Sequence, residues 1–138
     1  MEILSYPIDC VDGGTRNLLD EFIKGELKKN PILLKKVDAF LKRVQESKSL
    51  QPFFDSKLID SLEQVKINNG KATTKLYEMR IPPERRGGVV RLYFIMQGDK
   101  ILIIDGEIKK RTKSKIIDSV KKKINSITIF EMEKYHGN

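Results

Sequence analysis

The chain has 138 residues, of which 39% are hydrophobic and 33% are charged, and this composition is typical of one globular domain. Cys10 is the one cysteine and His136 the one histidine, which excludes an intramolecular disulfide and a zinc site built from thiolates and imidazoles. No signal-peptide pattern is present, and no stretch approaches the ~18 consecutive apolar residues of a membrane span. We therefore expect a cytoplasmic protein without membrane attachment, metal or cofactor.

The positive charge of the chain lies in its second half. The formal net charge is +8: residues 1–70 hold 11 Lys or Arg and 11 Asp or Glu, whereas residues 71–138 hold 16 and 8. An excess that lies in one half of the chain predicts an electropositive face of the kind that binds nucleic acids. A solvated lysine-rich surface would give the same counts.

The first half is predicted to form one strand and two helices. The strand covers residues 3–8 and stops at Pro7, and Thr15 then caps a helix with an apolar side formed by Leu19, Phe22, Ile23 and Leu27. The second helix begins at Asn30-Pro31, with Asn as cap and Pro in the first turn, and runs to about Glu46. Residues 51–64 fit a short helix, but the turn signal Asn69-Gly70 also fits a hairpin, and both options stay open.

From Thr73 onward the apolar residues alternate, which predicts three strands at residues 73–81, 89–97 and 100–108. Gly98-Asp99 fits a type II′ turn in which Gln97 faces Lys100. The same register would place Arg91 opposite Gly106 on an exposed sheet face, with room for a ligand to approach the backbone. A third helix follows, capped by Thr112 or Ser114, and residues 128–138 form a further strand or a frayed tail.

Basic residues are gathered where the predicted strands end. One group is Arg80 with Arg85 and Arg86, the second is Arg91, and the third is the run Lys109, Lys110, Arg111, Lys113 and Lys115. Because adjacent antiparallel strands bring their ends together, the three groups can border one groove. Arginine binds phosphate through two parallel hydrogen bonds, so such a groove suits a polynucleotide. Any one of these residues, taken alone, is equally well explained as a solvated strand end. Tyr135 and His136 could add an acid–base pair if the tail folds back.

Three segments of the second half, in this order, read KLYEMRI (residues 75–81), VRLYF (residues 90–94) and ILIIDGEIKKR (residues 101–111). They resemble the RelE/HigB-type toxins of type II toxin–antitoxin systems, in particular the phage-derived HigB-like branch of the RelE/ParE superfamily. KLYEMRI resembles a family strand that reads LYELR, and VRLYF resembles the next strand. Residues 101–111, ILIIDGEIKKR, resemble the last strand with its basic exit, and residues 112–123 the following helix. The resemblance implies an α+β domain over residues 1–138. It would consist of an N-terminal strand and two helices packed on an antiparallel sheet of about four strands, with a C-terminal helix. The chain's tail is longer than in many members of the family, and the sequence itself, not the resemblance, makes residues 128–138 a candidate flexible tail.

The function that this resemblance implies is that of a ribosome-dependent mRNA endonuclease, controlled by a cognate antitoxin. By position, Arg91 matches the arginine on the scissile phosphate, Arg111 the one that supports the transition state or leaving group, and Arg80 a basic residue that orients the nucleophile. Phosphate contacts are then expected from Arg85, Arg86, Lys109, Lys110 and Lys113. Ile117 stands where some members carry a tyrosine, and Glu78 where some carry lysine. These departures keep an alternative open, namely a non-nucleolytic ParE-like toxin or a degenerate toxin fold that acts through protein partners.

Overall fold

The structure is a computed structural model and describes residues 1–6, 18–81, 89–109 and 114–128. Its elements in chain order are β1 (Glu2–Ser5), α1 (Leu18–Lys24), a 3-10 turn (Leu27–Lys29), α2 (Pro31–Glu46), α3 (Gln51–Asp55), β2 (Ile59–Ile67), β3 (Ala72–Ile81), β4 (Val89–Gln97), β5 (Lys100–Lys109) and α4 (Ile117–Ser126). Within these ranges no helix has the length and apolar character that a membrane crossing requires.

The strands form one mixed sheet in the order β1-β5-β4-β3-β2. Strands β2 to β5 pair with antiparallel neighbours, whereas β1 pairs in parallel with β5, with Glu2 opposite Lys100. The predicted α+β class is confirmed, but the prediction of about four antiparallel strands is wrong. The first strand is a fifth member of the sheet, because Ile3 packs on one face and Leu4 on the other. Four residues of sequence do not reveal which edge such a strand will join.

Helix α2 follows the sequence prediction closely. The Asn30 side chain accepts a hydrogen bond from the Leu33 amide at 3.3 Å, and Pro31 occupies the first turn, where its missing N–H costs nothing. The helix ends at Glu46, as predicted. The residues that it buries recur at helical spacing and are Leu33, Val37, Phe40 and Val44.

Residues 51–67 combine the two options that the sequence left open. They form the short helix α3 and then strand β2, so the helical alternative is wrong for residues 59–65. The β2–β3 hairpin closes through Asn68, Asn69 and Gly70, whose φ angles are 57°, 54° and 82°. Asparagine and glycine tolerate this left-handed region better than other residues, which explains why the chain reverses here.

The sheet is covered on both faces. Helices α1, α2 and α3 pack on the face that carries Leu92 and Phe94, and α4 packs on the face that carries Tyr93 and Ile95. Tyr93, on the same face as Arg91, is only 1% exposed. The expectation that the face carrying Arg91 would be exposed is therefore wrong for the part that α4 covers. An open groove lies beside the N-terminal end of α4, where Ser114 and Ile117 border it, and the candidate site is this groove.

Candidate nucleic-acid interface

Arg80 and Arg91 lie directly opposite each other on β3 and β4. Both residues alternate with core residues such as Met79 and Leu92, so both lie on the face of the sheet that α4 partly covers. Two like charges in facing positions repel each other and are destabilising unless an acid lies between them. The pair therefore requires a compensating carboxylate.

Glu78 supplies that carboxylate. Its Oε1 accepts hydrogen bonds from Arg80 Nε at 3.0 Å and from Arg91 Nη1 at 2.5 Å, and the residue is only 4% exposed. Asp60 Oδ2 lies 3.2 Å from Arg80 Nη1. Two guanidinium groups thus share one buried carboxylate oxygen, and Arg80 has an additional acid at the surface.

Arg91 is not fully satisfied by this arrangement. Its side chain is 14% exposed, and its Nε is buried without a hydrogen-bond partner in the described part of the chain. An unpaired buried N–H costs about 1–3 kcal/mol. Because Nε is itself buried, a ligand in the groove can contact only the part of the Arg91 side chain that is exposed.

The two arginines border an open groove of about 470 Å³. Three of the lining residues are cationic, namely Arg80, Arg91 and Lys109. The remaining lining combines apolar, acidic and hydroxyl side chains, namely Leu62, Glu63, Glu78, Tyr93, Ser114 and Ile117. A groove with this lining offers cations to an anionic group and apolar side chains to an apolar group.

A β-bulge in β5 decides which residue lies beside Arg91. The Gly98 turn and the Gln97–Lys100 pairing are as predicted, with a positive φ of 63° at Gly98. Phe94 then pairs with Ile103 but Tyr93 with Asp105, so that Ile104 is an extra residue. Beyond this bulge Arg91 faces Glu107, and the prediction that it faces Gly106 is wrong.

Gly106 consequently lies on the other face of the sheet, where it allows α1 to approach. A Cβ atom at this position would lie 2.6 Å from Leu92 Cδ2 and 2.8 Å from Phe22 Cδ2. The glycine is thus needed for close packing between α1 and the sheet. It does not open the backbone to a ligand, contrary to the sequence-based interpretation.

Glu107 anchors the N-terminal end of α4 to the sheet. Its Oε2 accepts from the Tyr93 hydroxyl at 2.6 Å and from Ser114 Oγ at 2.5 Å, and its Oε1 accepts from the Lys115 amide at 3.1 Å. Ser114 Oγ in turn accepts from the Ile116 and Ile117 amides. The helix begins at Ile117 with Ile116 as its N-cap, so the prediction that Ser114 is the N-cap is wrong, and Ser114 instead holds the turn that precedes the helix.

The same hydrogen bonds fix the protonation of this cluster. Burial opposes ionisation of Glu107, but the hydrogen bonds from Ser114, Tyr93 and the Lys115 amide outweigh it, and the pKa of Glu107 is lowered. Burial, together with the bond to Glu107, raises the pKa of Tyr93 far above its usual range. Tyr93 therefore stays protonated as a hydrogen-bond donor and does not serve as a base.

The structure brings together Arg80, Arg91 and Lys109 of the residues that the sequence singled out. The other predicted site residues lie outside the described residues, and they are Arg85, Arg86, Lys110, Arg111, Lys113, Tyr135 and His136. The pairings of Ile81 with Val90 and of Val89 with Lys109 place the described ends of β3, β4 and β5 side by side. Residues 82–88 and 110–113 are attached at these ends.

Sequence reasoning did not identify four residues that shape the groove. Glu78 was noted only as a departure from the family pattern, and Leu62, Glu63 and Glu107 were not singled out. The position of Glu78 could have been predicted from its spacing: residues i and i+2 share a face of a strand, so a glutamate two positions before Arg80 is placed to form an ion pair with it. Leu62 and Glu107 gave no signal, because both owe their places to bulges.

Among the described residues no group of three or more His, Cys, Asp or Glu side chains is placed to hold a metal ion. No family model, no curated protein and no solved structure matches the chain.

Proposed function

We propose that the groove binds the phosphate backbone of single-stranded RNA, and that the protein is a toxin that cleaves mRNA on the ribosome. The observation that carries the proposal is the facing pair Arg80 and Arg91, which borders an open groove together with Lys109. The excess of basic over acidic residues in the second half of the chain supports an anionic ligand.

In this proposal each arginine has a separate task. Arg91 holds the scissile phosphate, and the more exposed Arg80 orients the neighbouring 2′-hydroxyl. This hydroxyl loses its proton to solvent water and its oxygen bonds to phosphorus, while the bond from phosphorus to the 5′-oxygen breaks and the 5′-oxygen takes up a proton from water. Arg111, which follows β5, supports the charge on the leaving group. Positioning and charge stabilisation of this kind can supply most of the acceleration of a phosphoryl transfer. Flanking phosphates would lie on Arg85, Arg86, Lys109, Lys110 and Lys113.

The proposal extends to the architecture and to the partners. A RelE-like arrangement is supported by the order of the elements, with helices before an antiparallel set of strands and α4 after the last of them. The partners would be the ribosome with its mRNA and a cognate antitoxin that neutralises the toxin, all in the cytoplasm.

The test is expression of the chain without an antitoxin, combined with mapping of transcript ends. We expect growth arrest and new 5′ ends within translated regions for the wild-type protein, and neither for Arg91→Ala. The matched control is Arg43→Ala, which removes the same charge from α2, where the guanidinium lies 5.5 Å from the Phe53 ring centre on the opposite side of the sheet. An Arg91→Ala protein that still arrests growth and cleaves transcripts would contradict the proposal.

A second candidate function is a non-nucleolytic toxin of the ParE type or a partner-binding module on the same fold. Two observations favour it: Glu78 holds both arginines, and Ile117 lines the groove where some RelE-type toxins carry a tyrosine. Intact transcripts together with inhibited DNA supercoiling in the expressing cells would support this candidate over the first.

A further inference from the structure

Strand β2 carries a bulge at Leu62. Ser61 pairs with Tyr77 on β3, and Glu63 pairs with the adjacent Leu76, so Leu62 is an extra residue without a partner on the neighbouring strand. Bulges of this type redirect side chains and are common next to functional sites.

The bulge changes the face to which the rest of β2 points. Ile59 packs in the core beneath α2, whereas Val65 and Ile67 pack in the core beneath α4. In a regular strand these three residues would share one face, because side chains alternate with a period of two. As a result Leu62 and Glu63, although adjacent in sequence, both line the groove.

Leu62 is an exposed apolar residue that lies at the candidate site. It is 38% exposed, and in the described part of the chain Ile32 is the other large apolar side chain in this class. A single exposed leucine requires no explanation on an ordinary surface. Leu62, however, borders the same groove as Arg80, Arg91 and Lys109, and the partly buried Ile117 adds apolar surface to it.

We propose that Leu62 and Ile117 form the surface on which one nucleobase of the bound RNA packs, while the phosphate of that nucleotide lies on Arg91 and the flanking phosphate on Lys109. The inference rests on the proposed function and adds a base subsite to it. A nucleotide has this division into an anionic part and a flat, largely apolar part, and the groove volume of about 470 Å³ lies in the usual range for small-ligand sites.

Two probes separate the base subsite from the phosphate subsite. One is a short single-stranded RNA. The other is an oligomer of equal length that keeps the ribose–phosphate backbone but lacks every base. We expect Leu62→Ser to weaken binding of the intact RNA roughly three- to tenfold, because apolar contact area is lost, and to leave binding of the abasic oligomer unchanged. Leu62→Phe should strengthen binding of the intact RNA, since bases pack well on aromatic rings.

The controls make each outcome decisive. Ile32→Ser removes an exposed apolar side chain from α2 and should change neither affinity, and Arg91→Ala should weaken both probes. If Leu62→Ser leaves binding of the intact RNA unchanged while Arg91→Ala weakens it, the base subsite is wrong and the phosphate groove stands. If Leu62→Ser weakens both probes equally, the residue supports the groove as a whole and the base subsite is again wrong. If Arg91→Ala changes neither affinity, the proposed function itself fails.

Discussion

The Nη1 atom of Arg91 lies 2.5 Å from Oε1 of Glu78, so a largely buried cation on β4 is held by a buried carboxylate on β3. An RNA phosphate that binds Arg91 must compete with this carboxylate. The ion pair therefore opposes ligand binding and at the same time stabilises the fold, because removal of one partner from a buried pair leaves the other uncompensated.

Glu78→Gln separates these two effects. The substitution keeps a hydrogen-bond acceptor but removes a negative charge from the groove, so RNA affinity should rise while the free energy of unfolding falls by about 2 kcal/mol. Urea denaturation and titration with a single-stranded oligonucleotide measure the two quantities. Glu63→Gln is the matched control, because Glu63 also lines the groove but pairs with the partly exposed Lys121 at 2.7 Å and should affect stability little. Unchanged affinity in Glu78→Gln would contradict competition at Arg91.

The salt dependence of binding counts the phosphates that the groove contacts. For single-stranded nucleic acid, the logarithm of the association constant falls with the logarithm of salt concentration by about 0.7 for each neutralised phosphate. Arg91→Ala and Lys109→Ala should each reduce the slope by about that amount, whereas Arg43→Ala on the far side of the sheet should leave it unchanged. Equal slopes for all four proteins would show that the groove does not carry the phosphate contacts.

The Glu107 cluster predicts an acid-sensitive component of stability. The pKa of Glu107 in the folded protein is below its ordinary value of 4.5, so its carboxylate stabilises the fold above pH 4.5, and this stabilisation is lost as the pH falls through the folded-state pKa. Glu107→Gln should cost about 2 kcal/mol at pH 7. Its deficit relative to the wild type should shrink below pH 4.5, which denaturation curves between pH 3 and 7 (roughly the range that spans the transition) can measure.

Tyr93→Phe tests the same cluster from the other side. Removal of the hydroxyl deletes one of the hydrogen bonds that lower the pKa of Glu107, so the acid loss of stability should begin at a higher pH than in the wild type. At neutral pH the substitution should cost about 1 kcal/mol. An unchanged acid transition would mean that Tyr93 does not contribute to the ionisation of Glu107.

Gly106→Ala tests the packing of α1 on the sheet. The added methyl group would lie 2.6 Å from Leu92 Cδ2 and 2.8 Å from Phe22 Cδ2, so both contacts must be relieved by a shift of these side chains or of the backbone. We expect a loss of about 1–3 kcal/mol in the free energy of unfolding, measured by urea denaturation. RNA binding should be unaffected, since Gly106 lies on the face opposite to the groove. A loss of RNA affinity with no loss of stability would restore the interpretation that the glycine opens the site to a ligand.

The elements that the sequence predicts well are those whose signals are local. The Asn30-Pro31 start of α2 and the Gly98 turn each depend on a few neighbouring residues, and both appear where they were expected. The pairing of strands that are far apart in sequence is harder to predict. The parallel partner of β1 lies far along the chain, and no pattern within residues 2–5 specifies it.

The sequence predicts the charged residues of the candidate site but not their geometry. The alternation of apolar residues places Arg80 and Arg91 on one face, and the structure has them side by side. The bulges at Leu62 and Ile104 reverse the alternation within β2 and β5 without a glycine or proline to mark the position. Each bulge changes the neighbours of the arginines, and a register extrapolated from the turn is therefore wrong at Arg91.

The parallel pairing of β1 with β5 also affects the order in which the chain can fold. Strands β2 to β5 are joined by hairpin connections and can pair soon after they are synthesised, whereas β1 must remain without its partner until the chain has grown from Glu2 past Lys100. Once β5 has been made, its edge stays open until β1 docks on it. In that interval the edge can pair with β1 of another copy, which would give strand exchange between two chains.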